Sequence, residues 1–192
     1  MTRRHYAVAT TSAALAFAVS FVAVAVVHPQ PRLVWNASAS APIGLYRIQS
    51  DRDLPIGALV AAMPPAGLAR WLAQRGYLPA GLPLLKHIAA KAGQRICRHG
   101  AIVSIDARPV VIARARDGRG RPLPVWHGCH TLQAGELLLL NPAVPDSLDG
   151  RYFGPLPASA VIGRALPLHL STPLPRLHLS SPKETHHARG HL

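Results

Sequence analysis

The chain has 192 residues, of which 21 are lysine or arginine and 8 are acidic, so its formal net charge is +13. A charge of this size suits a nucleic acid or an anionic lipid surface as a partner. We exclude nucleic acid, because the arginines are scattered along the chain and form no recognised nucleic-acid-binding motif. A basic domain beside anionic lipid headgroups accounts for the charge.

The N-terminal region contains one long apolar stretch. Residues 6–27 carry no charged side chain, and a helix of this length crosses a hydrocarbon layer of about 30 Å. Arg3 and Arg4 precede the stretch, and basic flanking residues tend to stay in the cytoplasm. The pattern predicts a cytoplasmic segment over 1–5, a transmembrane anchor over 6–27 and one domain on the outer face. A cleaved secretory signal is the alternative, but its apolar region usually has only ~7–15 residues.

The segments after the anchor are short apolar runs separated by glycine and proline. Many short strand patterns with turn signals between them are typical of a mainly β domain, either a barrel or a sandwich. We predict this domain over residues 28–172, beginning with a proline-rich linker, and a disordered tail over 173–192, where no apolar period is present. The predicted elements are strands at 45–48, 58–63, 84–89, 101–105, 110–115, 136–141 and 160–168, a helix at 67–77 and a loop at 118–124.

The chain has two cysteines, Cys97 and Cys129, and both follow the apolar stretch. Outside the cytoplasm such a pair favours a disulfide. Free thiols are one alternative, and a metal site with His99, His127 and His130 is the other, since zinc accepts these ligand types. The spacing matches no recognised zinc finger or metalloprotease pattern, so we predict no metal.

Small and hydroxyl-bearing residues follow the linker. Ser38 and Ser40 precede Pro42 and Gly44, which indicates a tight turn that enters a strand. Ser40 is expected at an exposed bend close to the membrane. Taken alone, a serine-rich turn is usually only a turn, so the motif leaves a nucleophile and a structural turn both open.

A single lysine interrupts an apolar run in the second motif, Leu-Leu-Lys86-His-Ile-Ala-Ala. Lysine is rarely fully buried unless it is paired or functional. If Lys86 points into the core, desolvation lowers its pKa and a neutral amine can accept a proton from a serine hydroxyl. If Lys86 points outward, it is an ordinary solvated side chain. The spacing alone does not choose between these two interpretations.

The third motif is a polar segment near the end of the predicted domain, Asp146-Ser-Leu-Asp-Gly-Arg-Tyr-Phe-Gly. Asp149 and Arg151 are two residues apart, and a bidentate ion pair between them would fix the loop. Ser147 could orient a neighbouring side chain by a hydrogen bond. The alternative is a surface turn without a role.

Together the three motifs resemble the type I signal peptidase family of serine peptidases, S26, and most closely its conjugative-transfer, TraF-type branch. Each motif is weak alone, but the three occur in the order of that family behind an anchor. The resemblance runs from the anchor to about residue 168. It implies a mainly β fold: a signal-peptidase-like β-barrel or β-sheet catalytic domain behind a single N-terminal transmembrane helix.

The resemblance also implies a role for each motif residue. Ser40 matches the nucleophile and Lys86 the general base of a Ser/Lys dyad. Ser38 and the Ser40 amide match the oxyanion hole, and Ser147 matches the serine that hydrogen-bonds the lysine. The supporting ion pair of the family is matched by Asp149 and Arg151.

Three positions depart from the wider family pattern without removing a reacting group. Ala41 stands where methionine commonly follows the nucleophile, and His87 stands where a basic residue commonly follows the lysine. Pro42 comes two residues after Ser40, whereas cellular leader peptidases have it three residues after. The shorter spacing favours the conjugative branch, and the alanine affects the pocket wall rather than the chemistry.

The resemblance implies a peptidase of the inner membrane, single-pass, with its catalytic domain in the periplasm and with neither a metal nor an organic cofactor. Its substrate would be the pilin precursor of a conjugative transfer system, whose cleavage can be coupled to cyclisation, and other transfer components would be possible partners. One alternative is a general leader peptidase that serves many secreted proteins. Another is a catalytically silent, anchored domain that binds a secretion or pilus component.

Overall fold

The computed structural model describes residues 3–27, 32–51 and 53–171. Within these ranges the chain forms three α-helices, one short 3-10 helix over Ala158–Ala160 and eleven β-strands. The helices are α1 (Arg3–Val27), α2 (Ala66–Gln74) and α3 (Gly150–Phe153). The strands are β1 (Leu33–Asn36), β2 (Gly44–Gln49), β3 (Leu59–Ala62), β4 (Leu84–Ala90), β5 (Arg95–His99), β6 (Ile102–Ile105), β7 (Arg108–Ile112), β8 (Gly128–Thr131), β9 (Glu136–Leu140), β10 (Leu156–Pro157) and β11 (Val161–Leu170).

The first helix, α1, is apolar on all sides. Its side chains are exposed from Arg3 to Val26, so no other part of the described chain covers them. Among the described residues it is the one helix long and apolar enough to cross a membrane. A helix that is hydrophobic all round must be buried by something else, and its length suits a bilayer, so α1 suggests a membrane anchor.

The larger sheet has seven strands in the order β1-β2-β11-β3-β4-β9-β10, and every neighbouring pair is antiparallel. The long strand β11 returns to the N-terminal half of the domain and pairs with both β2 and β3. The contact is very close at the start of β2, because a Cβ on Gly44 would lie 2.1 Å from the carbonyl oxygen of His169. Glycine is therefore required there for the two strands to meet.

The smaller sheet has four strands in the order β7-β6-β5-β8. Strands β6 and β7 are joined by Asp106 and Ala107, both with positive φ, which is the conformation of a two-residue hairpin turn. This turn starts β7 at Arg108, two residues earlier than the sequence predicts, and β7 ends at Ile112.

Strand β9 forms the wall between two hydrophobic cores. Leu138 and Leu140 pack with Ile96 of the smaller sheet, whereas Leu137 and Leu139 pack in the other cluster. Because side chains alternate across a strand, a run of four leucines can face both cores at once. This explains why the sequence Glu-Leu-Leu-Leu-Leu shows no polar alternation.

The prediction of a mainly β domain behind one apolar helix is confirmed by this architecture. The sequence missed strands β1, β5, β8 and β10, whose four, five, four and two residues lack a long apolar pattern, and it missed α3, which has a single turn. The predicted helix at 67–77 ends earlier, at Gln74. The predicted disordered tail over 173–192 lies outside the described residues, and the predicted segment boundaries stay predictions.

Candidate active site

The loop between β1 and β2, residues 37–43, is held by one buried side chain. Asn36 donates from Nδ2 to the carbonyl oxygens of Ser38, Ala41 and Pro42, at 3.0, 2.9 and 3.0 Å. Its Oδ1 accepts from the backbone N–H of Ser38 at 3.1 Å and from the Ser38 hydroxyl at 3.0 Å. Tyr46 donates its hydroxyl to the carbonyl of Pro42 at 2.6 Å. The turn that carries the two serines therefore has a defined shape.

The hydroxyls of Ser38 and Ser40 lie 2.9 Å apart. Since a serine has one hydroxyl hydrogen and that of Ser38 goes to Asn36, Ser40 is the donor in this contact. Ser38 is exposed and Ser40 is half-buried. In the resting arrangement the Ser40 hydroxyl is thus held by its neighbour on the same turn.

Lys86 lies in the middle of β4, with 2% of its surface exposed. Strands β3 and β9 pair with β4 on either side, and the ammonium group donates to the hydroxyl of Ser147 at 2.9 Å. Burial lowers the pKa of Lys86 from 10.5 to about 8. The carboxylate of Asp149 opposes that shift by favouring the charged amine, and the guanidinium of Arg151 adds to it.

A buried ion pair lies behind the lysine. Arg151 donates from Nε and Nη2 to the two carboxylate oxygens of Asp149, at 2.8 and 3.0 Å, and both residues are almost fully buried. The remaining guanidinium hydrogens reach the carbonyl oxygens of Ile112, Asn141, Val144 and Pro145 at 3.0–3.5 Å. Because every donor is used, the pair fixes the segment between β9 and α3.

These residues meet at a groove of about 550 Å³ that is lined by Ser38, Ser40 and Lys86. Most of its other walls are apolar and come from β1, α2, the segment after α2 and β4. They include Val34, Trp35, Leu72, Tyr77, Leu78, Leu82, Leu84 and Leu85. The hydroxyl that binds Lys86 and the buried ion pair lie next to the groove and outside its lining; they belong to Ser147, Asp149 and Arg151. The structure therefore brings together all six residues that the three motifs contribute. The chemical roles of these six residues remain predictions.

The two cysteines lie elsewhere, in the smaller sheet. Cys97 and Cys129 face each other across β5 and β8 and are joined by a disulfide. His99 is also close, with Nε2 3.7 Å from the sulfur of Cys129, whereas His130 is hydrogen-bonded to Glu136 at 2.6 Å. None of these five residues lines the groove.

Sequence reasoning assigned no role to Asn36 and Asn141, the two asparagines that bind the loops of the site. Both stand at the end of a strand, where a polar residue directly follows an apolar run, and this is the one local signal they give. Such a signal also marks ordinary surface turns. Asn36 and Asn141 differ from ordinary turn residues only in the number of hydrogen bonds that they make in the folded chain.

Two serine hydroxyls and a lysine of lowered pKa thus lie beside one groove. The family model for signal peptidase, peptidase S26, matches residues 3–169. The chain therefore belongs to the signal peptidase family S26, a family of serine peptidases.

Relatives place the chain more narrowly within that family. It is 39% identical over 140 residues to "Probable conjugal transfer protein TraF" of Sinorhizobium fredii, covering 68% of this chain and 73% of the relative. It is 36% identical over 150 residues to "Conjugal transfer protein TraF" of Agrobacterium fabrum, covering 72% and 82%. A "Plasmid transfer protein TraF" of Escherichia coli is 32% identical over 137 residues, covering 66% and 77%. The predicted resemblance to TraF-type members of the family is confirmed.

Among solved structures, a signal peptidase I of Enterococcus faecalis matches with a TM-score of 0.36 and 14% sequence identity. The match covers 60% of this chain and 98% of that structure. The family assignment rests on the sequence matches and not on this similarity.

Proposed function

We propose that the protein is a membrane-anchored serine endopeptidase in which Ser40 is the nucleophile and Lys86 the general base. The observation that carries the proposal is the buried Lys86, whose pKa is lowered to about 8 and which shares a groove with Ser40. At pH 7 about a tenth of such an amine is neutral, against about 3 in 10⁴ for a lysine of ordinary pKa. The lowered pKa of Lys86 thus provides the neutral amine that must accept the proton of the serine hydroxyl.

The first step transfers one proton and forms one bond. Ser40 Oγ leaves its contact with Ser38, gives its proton to the neutral amine of Lys86 and attacks the carbonyl carbon of the scissile peptide bond. Lys86, now charged, returns that proton to the nitrogen of the leaving segment when the C–N bond breaks. The product is an ester between Ser40 and the new C-terminal acyl group, together with a free amine.

The tetrahedral intermediate carries a negative oxygen that needs donors already in place. We assign this role to the backbone N–H of Ser40 and the hydroxyl of Ser38. In the resting arrangement the Ser38 hydroxyl donates to Asn36, so it must rotate towards the oxyanion as the intermediate forms. Ser147 keeps the amine of Lys86 oriented, and the pair of Asp149 and Arg151 keeps Ser147 in place.

The ester on Ser40 can be resolved in two ways. Attack by water gives a linear product with a new carboxylate. Attack by the amine of the same substrate chain gives a cyclic product and releases Ser40 without water. Either route regenerates the hydroxyl with a proton returned through Lys86, so the same site supports cleavage and head-to-tail cyclisation.

The proposed substrate is the pilin precursor of a conjugative transfer system. Support comes from the relatives, whose names assign them to conjugal or plasmid transfer, and from the apolar walls of the groove, which suit an extended apolar segment. With α1 as a single-pass anchor in the inner membrane, the domain would face the periplasm and meet precursors at the bilayer surface. Other components of the transfer apparatus are then natural partners.

The test is the mass of a pilin precursor expressed together with the full chain. Ser40→Ala and Lys86→Ala should each abolish processing while the proteins remain in the membrane at wild-type amounts. Ser104→Ala in β6 and Lys91→Ala after β4 are matched controls outside the groove, and both should process normally. Normal processing by either dyad variant would refute the proposed pair.

The same assay distinguishes the two alternatives. Equal cleavage of unrelated secretory precursors would indicate a general leader peptidase. Capture of the pilin precursor without any ester on Ser40 would indicate a binding domain that lacks catalysis.

A further inference from the structure

Asn141 directly follows β9 and is buried, with 2% of its surface exposed. Its Nδ2 donates to the carbonyl oxygen of Ser40 and, at 3.0 Å, to that of Leu85. Its Oδ1 accepts from the backbone N–H of His87 at 3.2 Å and lies 2.9 Å from the ring nitrogen Nδ1 of His87. One planar amide therefore contacts the residue of the proposed nucleophile and both chain neighbours of the proposed base.

The orientation of this amide is fixed by its backbone partners. Carbonyl oxygens only accept and a backbone N–H only donates, so Nδ2 and Oδ1 of Asn141 cannot exchange places. Since Oδ1 cannot donate, Nδ1 of His87 must carry a hydrogen in this contact. All donor and acceptor positions of the Asn141 side chain are then in use, so the amide connects the loop of Ser40 specifically to β4.

The main chain of Asn141 is fixed as well. Its N–H donates to a carboxylate oxygen of Asp149 at 2.9 Å, and its carbonyl accepts from Arg151 at 3.0 Å. The buried ion pair thus holds Asn141 from one side, while the amide holds Ser40 and β4 from the other.

Strand pairing alone connects the two proposed reacting groups only indirectly. Ser40 lies on the loop that precedes β2, Lys86 lies on β4, and β11 and β3 stand between these strands in the sheet. The amide of Asn141 instead joins the loop and β4 directly, with one hydrogen bond to the carbonyl of Ser40 and one to that of Leu85. Small displacements matter here, because a shift of about 1 Å in a reacting group can cost about 10²-fold in rate.

We propose that Asn141 is a positioning residue that sets the place of Ser40 relative to Lys86. This inference rests on the proposed function, because it assigns the geometry of the same site. Asn141 does not touch a reacting atom; it acts through the carbonyl of Ser40 and through the strand that carries Lys86.

The test uses the full chain in detergent micelles with two variants and one control. Asn141→Ala removes the link, and Asn141→Asp keeps the size of the side chain but removes both donors. Ile96→Ala in β5, a buried residue of the smaller sheet outside the groove, matches the loss of a buried side chain. Each protein is measured for kcat and KM on the pilin precursor, for melting temperature and for hydrogen exchange in residues 37–43.

Both Asn141 variants should lower kcat by about 10²-fold with KM within about threefold, and exchange in residues 37–43 should accelerate. Ile96→Ala should lower the melting temperature but leave kcat and that exchange unchanged. The proposal would be overturned if hydrogen exchange in residues 37–43 of the Asn141 variants stayed at the wild-type rate. It would also be overturned if Ile96→Ala, at a melting temperature equal to that of the Asn141 variants, lost as much kcat as they do. If Ser40→Ala still processed the precursor, the proposed function would fail, and the exchange measurement would still decide the role of Asn141.

Discussion

Lys86 shows how one residue couples stability to chemistry. Burial disfavours the charged form of its amine, and its pKa falls to about 8. The unfolded chain has an ordinary lysine pKa and binds the proton more tightly between pH 8 and 10.5. Stability therefore rises with pH across that window, and below it the burial costs about 3 kcal/mol.

The first prediction concerns the pH dependence of cleavage. If Lys86 accepts the proton of Ser40, kcat/KM should rise with pH through a single acidic limb near pH 8, because kcat/KM reports the free enzyme and only the neutral amine is a base. Rates on the pilin precursor from pH 5.5 to 9.5 measure this limb. A rate that is flat over this range would exclude Lys86 as the titrating base.

The second prediction concerns stability. Lys86→Met should abolish cleavage and yet stabilise the fold at pH 7 by about 1–3 kcal/mol, since an apolar chain replaces a desolvated amine and Ser147 loses one donor. Urea unfolding of both proteins in detergent measures the difference. The gap should close as the pH approaches 10.5, and a variant less stable than wild type would contradict this account.

Among the elements of the fold, the segment between β9 and α3 holds the residues of the candidate site in position. It has one turn of helix and little apolar content of its own, so hydrogen bonds rather than packing define its shape. Asp149 accepts from the backbone of both Asn141 and Arg151 in addition to the guanidinium. A buried pair of this kind is valuable mainly because the loss of one partner leaves the other charge unpaired.

The third prediction follows from that segment. Asp149→Ala should destabilise the protein by about 3–5 kcal/mol, because Arg151 is left buried without its counter-charge. Molecules that still fold should cleave, with the acidic limb moved to lower pH, since Asp149 raises the pKa of Lys86 and Arg151 lowers it.

Asp146→Ala is the control for this experiment. It lies on the same segment but its partner Arg114 is exposed, so it should cost at most about 1 kcal/mol. Thermal unfolding measures the loss of stability in each variant, and the pH dependence of the cleavage rate locates the acidic limb. An Asp149→Ala protein with wild-type stability would show that the ion pair does not support the segment.

In the molecule as a whole, the apolar helix α1 and the β domain differ in what covers their apolar side chains. The core of the domain is divided into several clusters, and β9 contributes to two of them. In contrast, α1 buries no side chain within the described chain. Whatever covers α1 must therefore lie outside the described part of the chain, and the length and composition of the helix suit a bilayer.

The fourth prediction tests this arrangement. The full chain should remain in the membrane after alkaline carbonate extraction, and its intact mass should include residues 1–27. A chain without residues 3–27 should be extracted. A membrane protein whose mass begins after residue 27 would instead indicate a cleaved signal.

The local features of the site could be predicted, and its contacts could not. The sequence singles out Ser40, Lys86 and the pair of Asp149 and Arg151 because each belongs to a short motif in a characteristic order, and their chemical roles stay predictions. Asn141 belongs to no such motif, and its partners Ser40 and Leu85 are 101 and 56 residues away. Strands β5 and β8 were missed for a related reason, since their pairing across the disulfide and not their hydropathy defines them.

The apolar helix, the mainly β class and the order of the motifs can be predicted from the sequence, because hydropathy and turn chemistry act between near neighbours. The burial of Lys86 and its hydrogen bond to Ser147, 61 residues away, are visible only in the folded chain. The same holds for the pairing of the cysteines and the central place of Asn141. Desolvation and hydrogen bonding depend on which distant residues surround a group, and no local pattern in the chain records that.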